Sequence, residues 1–237
     1  MGSVARSVVA LIFLFWIGTA LVRSADLQIS PVSINFKPGI TATGITLKNR
    51  GDNPIYGQVR AFAWTQKNGE DVLTPTDKLV ISPSIVEIAP QAAQTIRLVR
   101  QDGGAVAVEL SYRLLIDEIP RTETVEDGVA IQLRYSVPVF VQPSGKVAQQ
   151  LQWRVMRSAK SMSLLVVNSG AAHVQLGATK IVSASGASLS LGNGLLGYIL
   201  AGEERAWVFP ETTVDLSGNL SVSTMLNAQP VSARLDQ

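Results

Sequence analysis

Val129-Ala130-Ile131-Gln132-Leu133-Arg134-Tyr135-Ser136-Val137-Pro138-Val139-Phe140-Val141 carries large apolar side chains at every second position. Period two is the mark of a strand with one face buried and the other turned outward. The same alternation recurs on both sides of it. Ile45 and Leu47 keep one parity, as do Val59, Ala61 and Ala63, and Ile96, Leu98 and Arg100. Turn-forming clusters separate these segments: Lys37-Pro38-Gly39, Asn49-Arg50-Gly51-Asp52-Asn53-Pro54, Lys67-Asn68-Gly69-Glu70 and Gln101-Asp102-Gly103-Gly104. Such residues supply left-handed or fixed backbone angles that break a strand. No stretch shows a helical stripe with caps, so the chain reads as all-β, built of antiparallel sandwiches.

After Val141 the polar, Pro- and Gly-broken stretch Gln142-Pro143-Ser144-Gly145-Lys146 reads as a linker. Alternation resumes in Leu151, Trp153 and Val155 and in Leu164 and Val166. Further strands are predicted at Val174–Leu176, Tyr198–Leu200 and Ala206–Phe209. Two sandwich domains are therefore expected, at 26–143 and 144–237. No internal repeat of fixed period is visible.

Residues 1–25 are of another kind. Arg6 precedes an apolar run from Val8 to Ile17, and small residues follow at Gly18, Thr19, Ala20, Ser24 and Ala25. This is the layout of a secretory signal peptide, and the run is short for a membrane span. Cleavage after Ala20 or Ser24 fits the small-residue spacing, whereas a cut after Ala25 puts Arg23 at an awkward place. Removing Arg6 and Arg23 takes the formal charge of +2 to zero. An exported protein that is not embedded in a membrane is expected.

Composition narrows the chemistry. Lys and Arg number 20 against 18 Asp and Glu, too even for a nucleic-acid binder. The absence of cysteine excludes disulfides, thiolate metal sites and a cysteine nucleophile, and a single histidine, His173, excludes multi-histidine metal centres. No cofactor is expected. Ser82 and Ser144 have no histidine arguably within reach, the acid pairs Asp117-Glu118 and Glu203-Glu204 are adjacent rather than facing, and Gly103-Gly104 has no helix behind it. An enzyme is not expected.

A set of motifs in fixed order resembles the periplasmic pilus-assembly chaperones of the chaperone–usher pathway. In the first half these are Ile29-Ser30-Pro31, Phe36, Leu47-Lys48-Asn49, Ile81-Ser82-Pro83, Ile88-Ala89-Pro90, Tyr112-Arg113-Leu114-Leu115-Ile116-Asp117-Glu118-Ile119-Pro120 and Leu133 to Phe140. In the second half they are Val167-Asn168-Ser169-Gly170, His173-Val174 and Tyr198-Ile199-Leu200-Ala201-Gly202. The resemblance implies two immunoglobulin-like β-sandwich domains in a boomerang arrangement. It also implies a periplasmic, Gram-negative location and two partners, pilus or fimbrial subunits and an outer-membrane usher.

It further implies a mechanism. Subunits lack their last strand, and the chaperone lends one of its own, adding main-chain hydrogen bonds and alternating side chains to the open groove. Val129, Ile131 and Leu133 would be that row; the pattern alone favours their facing the chain's own core, as in any sandwich strand, and it is the resemblance that makes them the lending row. The subunit's terminal carboxylate would be held by cations between the domains. The positions that supply them in the best-known members fall here on Ser33 and Pro138, which carry no charge. Arg113, in a Tyr-Arg pair like that of a divergent, archaic branch, is the first replacement and Arg134 the second; either also fits a solvated strand charge. Of the polar residues that link the domains in those members, Glu118 is retained, while the other two positions read Gln142 and Ala228. His173 is expected at a turn or interface. The competing reading is a structural fibre subunit or adhesin, which would show an N-terminal donor extension and one incomplete domain.

Overall fold

The computed structural model describes residues 26–120, 132–145, 147–158, 160–210 and 213–236. Among them are eighteen strands and no helix. The first ten are β1 (Leu27–Ser30), β2 (Ile34–Phe36), β3 (Ala42–Asn49), β4 (Ile55–Lys67), β5 (Glu70–Pro75), β6 (Leu79–Ser82), β7 (Ile85–Ile88), β8 (Ala93–Arg100), β9 (Leu110–Ile119) and β10 (Arg134–Val141). They form two sheets, ordered β1-β3-β8-β6 and β2-β10-β9-β4-β5, with β7 also on β4. The alternating residues meet between the sheets. Ile45, Leu47, Val59, Ile96, Leu98, Leu114, Ile116, Val137, Val139 and Val141 are all buried there. Arg100 shares this parity and is buried with them, its Nη2 donating to the carbonyls of Asp102 (2.9 Å) and Gly104 (3.0 Å).

The other eight strands are β11 (Leu151–Arg157), β12 (Ser161–Asn168), β13 (Val174–Ser183), β14 (Ser188–Gly192), β15 (Gly197–Ile199), β16 (Glu204–Pro210), β17 (Leu220–Leu226) and β18 (Gln229–Arg234). Sheets β11-β12-β16 and β14-β13-β17-β18, with β15 on β13, enclose a second core around Leu164, Val166, Leu176, Ile181 and Val222. The protein is thus all-β, with two immunoglobulin-like sandwiches.

Each domain turns one corner in the same way. Asn49 ends β3 fully buried, donating from Nδ2 to the carbonyls of Asn53 (2.7 Å) and Ile88 (2.9 Å) and accepting from Gly51 N (2.9 Å). Asn168 ends β12 fully buried, donating to Ala172 O (2.8 Å) and Leu200 O (3.1 Å) and accepting from Gly170 N (2.9 Å). A side-chain amide that satisfies a turn and a neighbouring strand together replaces the backbone pairing that ends there.

A third, small cluster joins the domains. Trp64 of β4 and Phe140 of β10 pack with Leu200, and Tyr198 of β15 lies against them. Trp64 and Phe140 stand on the outward parity of their strands, so the first domain's larger sheet offers its second face to the other domain.

Candidate functional site

Arg113 lies on the outward face of β9, directly across from Phe62 of β4 on one side and Pro138 of β10 on the other. At the next outward position Phe140 stands across from Ser111, its ring centre 6.0 Å from that of Trp64. The Arg113 guanidinium carbon sits 3.6 Å from the centre of the Trp64 ring and 5.5 Å from that of Tyr198. Trp64 and Tyr198 meet edge to face at 5.6 Å. The cation is therefore shelved on one aromatic from each domain, an attraction that grows as water is removed. Burial pulls its pKa below the usual arginine value, opposed by the negative charge of Asp71 and by Tyr198; arginine stays charged even so. No carboxylate of the described residues lies within 4.0 Å of it.

Arg134 is placed differently. It pairs across the ladder with Asp117, four residues along β9 from Arg113. Its Nε donates to Asp117 Oδ1, and Arg60 Nη2 donates to Asp117 Oδ2 at 2.6 Å. Burial works to raise the Asp117 carboxyl, but the hydrogen bonds from Arg134 and Arg60 outweigh it and hold the group below its ordinary value. Of the two cations expected as replacements, Arg113 has no carboxylate of the described residues within reach, and Arg134 already has one, Asp117.

Of the lending row, Leu133 is described: it is half-buried and its carbonyl accepts from Glu118 N at 3.0 Å. Its parity continues through Tyr135, Val137 and Val139 into the domain's own core. Val129 and Ile131 lie outside the described residues.

Glu118 was expected as an interdomain link, and the contact described for it is to a residue of its own domain. Glu118 sits at the end of β9 away from the linker, where the Tyr135 hydroxyl donates to it at 3.4 Å. Burial pushes its carboxyl up, and burial together with Glu118 pushes Tyr135 up to about 12. Both residues of the pair belong to the first domain. A Glu at the other end of the same strand makes the link instead. Buried Glu109, just before β9, accepts from His173 N (3.0 Å) and pairs with His173 Nδ1 (2.7 Å), while the imidazole stacks on Phe140 with centroids 3.6 Å apart. His173 is thus an interface residue.

A second link comes from the β4–β5 hairpin. Gln66 Nε2 donates to Tyr198 O at 2.8 Å, and its Oε1 accepts from Leu200 N at 2.9 Å. Ala206 N donates to Gly69 O at 2.9 Å. Reading the sequence did not single out Trp64, Gln66 or Glu109, and it quoted Tyr198 only as part of a motif, with no role at the site. One signal was present: Phe62, Trp64 and Phe140 put large aromatics where the strand parity turns outward, which marks a second buried face.

Among the described residues no group of His, Asp and Glu could hold a metal ion, and no helix is long and apolar enough to cross a membrane. No curated protein sequence matches the chain. By structure, it resembles a chain of the CsuC-CsuE chaperone–tip adhesion subunit pre-assembly complex from archaic chaperone-usher Csu pili of Acinetobacter baumannii. The TM-score is 0.69 at 23% identity, covering 89% of this chain and 98% of that one. It also resembles the YadV chaperone (TM-score 0.66, 18% identity, 89% and 100% covered) and the E. coli chaperone DraB (0.59, 18%, 90% and 98%). These likenesses bear on the fold. The family model for the pili and flagellar-assembly chaperone, PapD N-terminal domain, matches residues 26–146, just over half of the 237. That match sets aside the reading as a fibre subunit: the chain belongs to the pili and flagellar-assembly chaperone family.

Proposed function

We propose that this chaperone captures strand-deficient pilus subunits by lending the segment that leads into β10, and grips the subunit's C-terminal carboxylate with Arg113. The observation that carries the reading is the guanidinium fork of Arg113, shelved between Trp64 and Tyr198 with no carboxylate of the described residues within reach. A planar fork in a partly desolvated cleft suits a carboxylate, and two parallel hydrogen bonds would fix its direction. Arg134, held by Asp117, serves as a positioning charge. Val129, Ile131 and Leu133 are the row offered to the subunit's groove, and the working units are 26–143 and 144–237. Delivery to an outer-membrane usher in the periplasm fits the family. The likeness to a chain from a chaperone–usher system supports the same partners.

The test is the yield of complex between the mature chaperone and a subunit that copurifies with it, in two versions: one with its native C-terminus, one extended by further residues. Removing one partner of a desolvated charge pair costs about 2–5 kcal/mol. Arg113→Ala is expected to lose most of the native complex and Arg113→Lys to recover part of it, while Arg134→Ala has a milder effect. Equal yields for wild type and a normally folded Arg113→Ala would remove Arg113 from the mechanism.

A further inference from the structure

The turn Lys67-Asn68-Gly69-Glu70 joins β4 to β5 with positive φ at both central residues, 53° at Asn68 and 77° at Gly69. That is the tight Asn-Gly hairpin turn. Its tip is not a free surface loop. Gly69 is buried against the start of β16, and a Cβ added there would stand 2.6 Å from Ala206 Cβ and 3.1 Å from Ala206 N. Its carbonyl accepts from Ala206 N at 2.9 Å and from Arg205 Nη1 at 3.0 Å. Glycine is required twice over, by its backbone angle and by the approach of the other domain.

One turn inward, Gln66 is 2% exposed and behaves as an extra peptide unit beside β15. Its amide bonds the carbonyl of Tyr198 and the N–H of Leu200, the two groups that flank Ile199. A third bond, Nε2 to Asp71 Oδ1 at 2.8 Å, holds the amide in that orientation. The backbone that carries the Tyr198 ring is thereby fixed by a side chain of the first domain. That ring forms one side of the shelf under Arg113. The Glu109–His173 link lies on the linker side of the interface. A single line of attachment leaves a hinge, whereas two separate lines fix an angle.

We propose that the tip of the β4–β5 hairpin sets the position of the second domain and so assembles the Arg113 anchor, with Gln66 and Gly69 as positioning residues. The inference rests on the reading of Arg113 as the carboxylate anchor. It makes the cleft a composite whose grip on a subunit and whose interdomain angle are linked quantities.

The chain has no cysteine, so labels can be placed at will. In the full mature protein, Arg97→Cys and Lys180→Cys, both at exposed positions, carry a spin-label pair that reads the interdomain distance distribution. Gly69→Ala and Gln66→Glu are introduced separately. Gly39→Ala is the control, because Gly39 has the same left-handed backbone (φ 79°) with nothing within 4 Å of the added carbon. Thermal midpoints verify folding. Binding is measured with the copurifying subunit in its native and C-terminally extended versions.

Gly69→Ala and Gln66→Glu are expected to broaden the distance distribution. They should also lower the preference for the native terminus by about tenfold, a size usual for coupled sites, while Gly39→Ala changes neither. If wild type prefers the native terminus and both variants keep that preference and the wild-type distances, the hairpin inference is overturned. If wild type itself shows no preference, the Arg113 reading fails instead, and the distance distributions still judge the hairpin alone. Gln66→Glu keeps the side chain's size and one acceptor, so it decides the matter should Gly69→Ala prove unfolded.

Discussion

Asn49 and Asn168 show how much a single buried amide can hold. Each closes its own turn and satisfies carbonyls of a neighbouring strand, and each precedes a glycine that the start of its own domain approaches closely. A Cβ on Gly51 would meet the Asp26 side chain at 2.6 Å, and one on Gly170 would meet Ala148 O at 2.7 Å. Replacing either Asn by Ala strands buried carbonyls and a turn N–H, so urea unfolding should show a loss of about 2 kcal/mol per site. Asp117 has a smaller role that depends on pH. Its folded pKa lies below its unfolded one, so its contribution is present above the unfolded value, near 4, and fades as pH falls through the folded value. Because Arg134 is 63% and Arg60 42% exposed, that contribution should stay below about 1 kcal/mol. Asp117→Asn is therefore expected to lower stability slightly at pH 7, with the difference from wild type shrinking as pH falls below the unfolded value near 4; urea midpoints across that range check this.

For the strands, the decisive prediction concerns the segment that precedes β10. An aspartate on the lending row would have to enter an apolar groove without a partner, at a cost of several kcal/mol. Ile131→Asp should abolish protection of the copurifying subunit from proteolysis while leaving the chaperone's own unfolding midpoint unchanged. If the midpoint falls in step with protection, the row serves the chaperone's core instead. Strand parity was legible wherever one face is wet: Ile45, Leu47, Val59, Ile96 and Leu98 are buried as their alternation predicts. In β14 and β18 the row is only two residues long, Leu189 and Leu191 in one and Val231 and Ala233 in the other, and set among Ser, Gly and Pro it is too short to tell a strand from a turn. Nor could parity show that the three residues of β2 run parallel to β10, because parallel closure over such distance along the chain leaves no local pattern.

Taken as one body, the molecule depends on a small interface that no periodicity announced. Arg113 was reached through a family likeness, but its shelf is built by Trp64 and Tyr198, 134 residues apart in the chain, and neither position has meaning until the sheets are folded. Glu118 was placed at the interface because a matching motif carries it; Glu109, at the other end of the same strand, is where the linker brings the domains together. Glu109→Ala would leave His173 N and the stacked imidazole without their acceptor. Calorimetry of that variant should resolve two unfolding transitions where wild type shows one, or one partly merged with the other. The Arg113–Trp64 stack has one more consequence, an optical one. The colour of indole emission follows the electric field across the ring, and here a full positive charge stands 3.6 Å above it. A guest carboxylate that draws the guanidinium toward itself changes that field, so arrival of a subunit should shift the chaperone's tryptophan spectrum without any dye. A Trp64→Phe protein, with Trp153 and Trp207 still in place, should stay dark to the event.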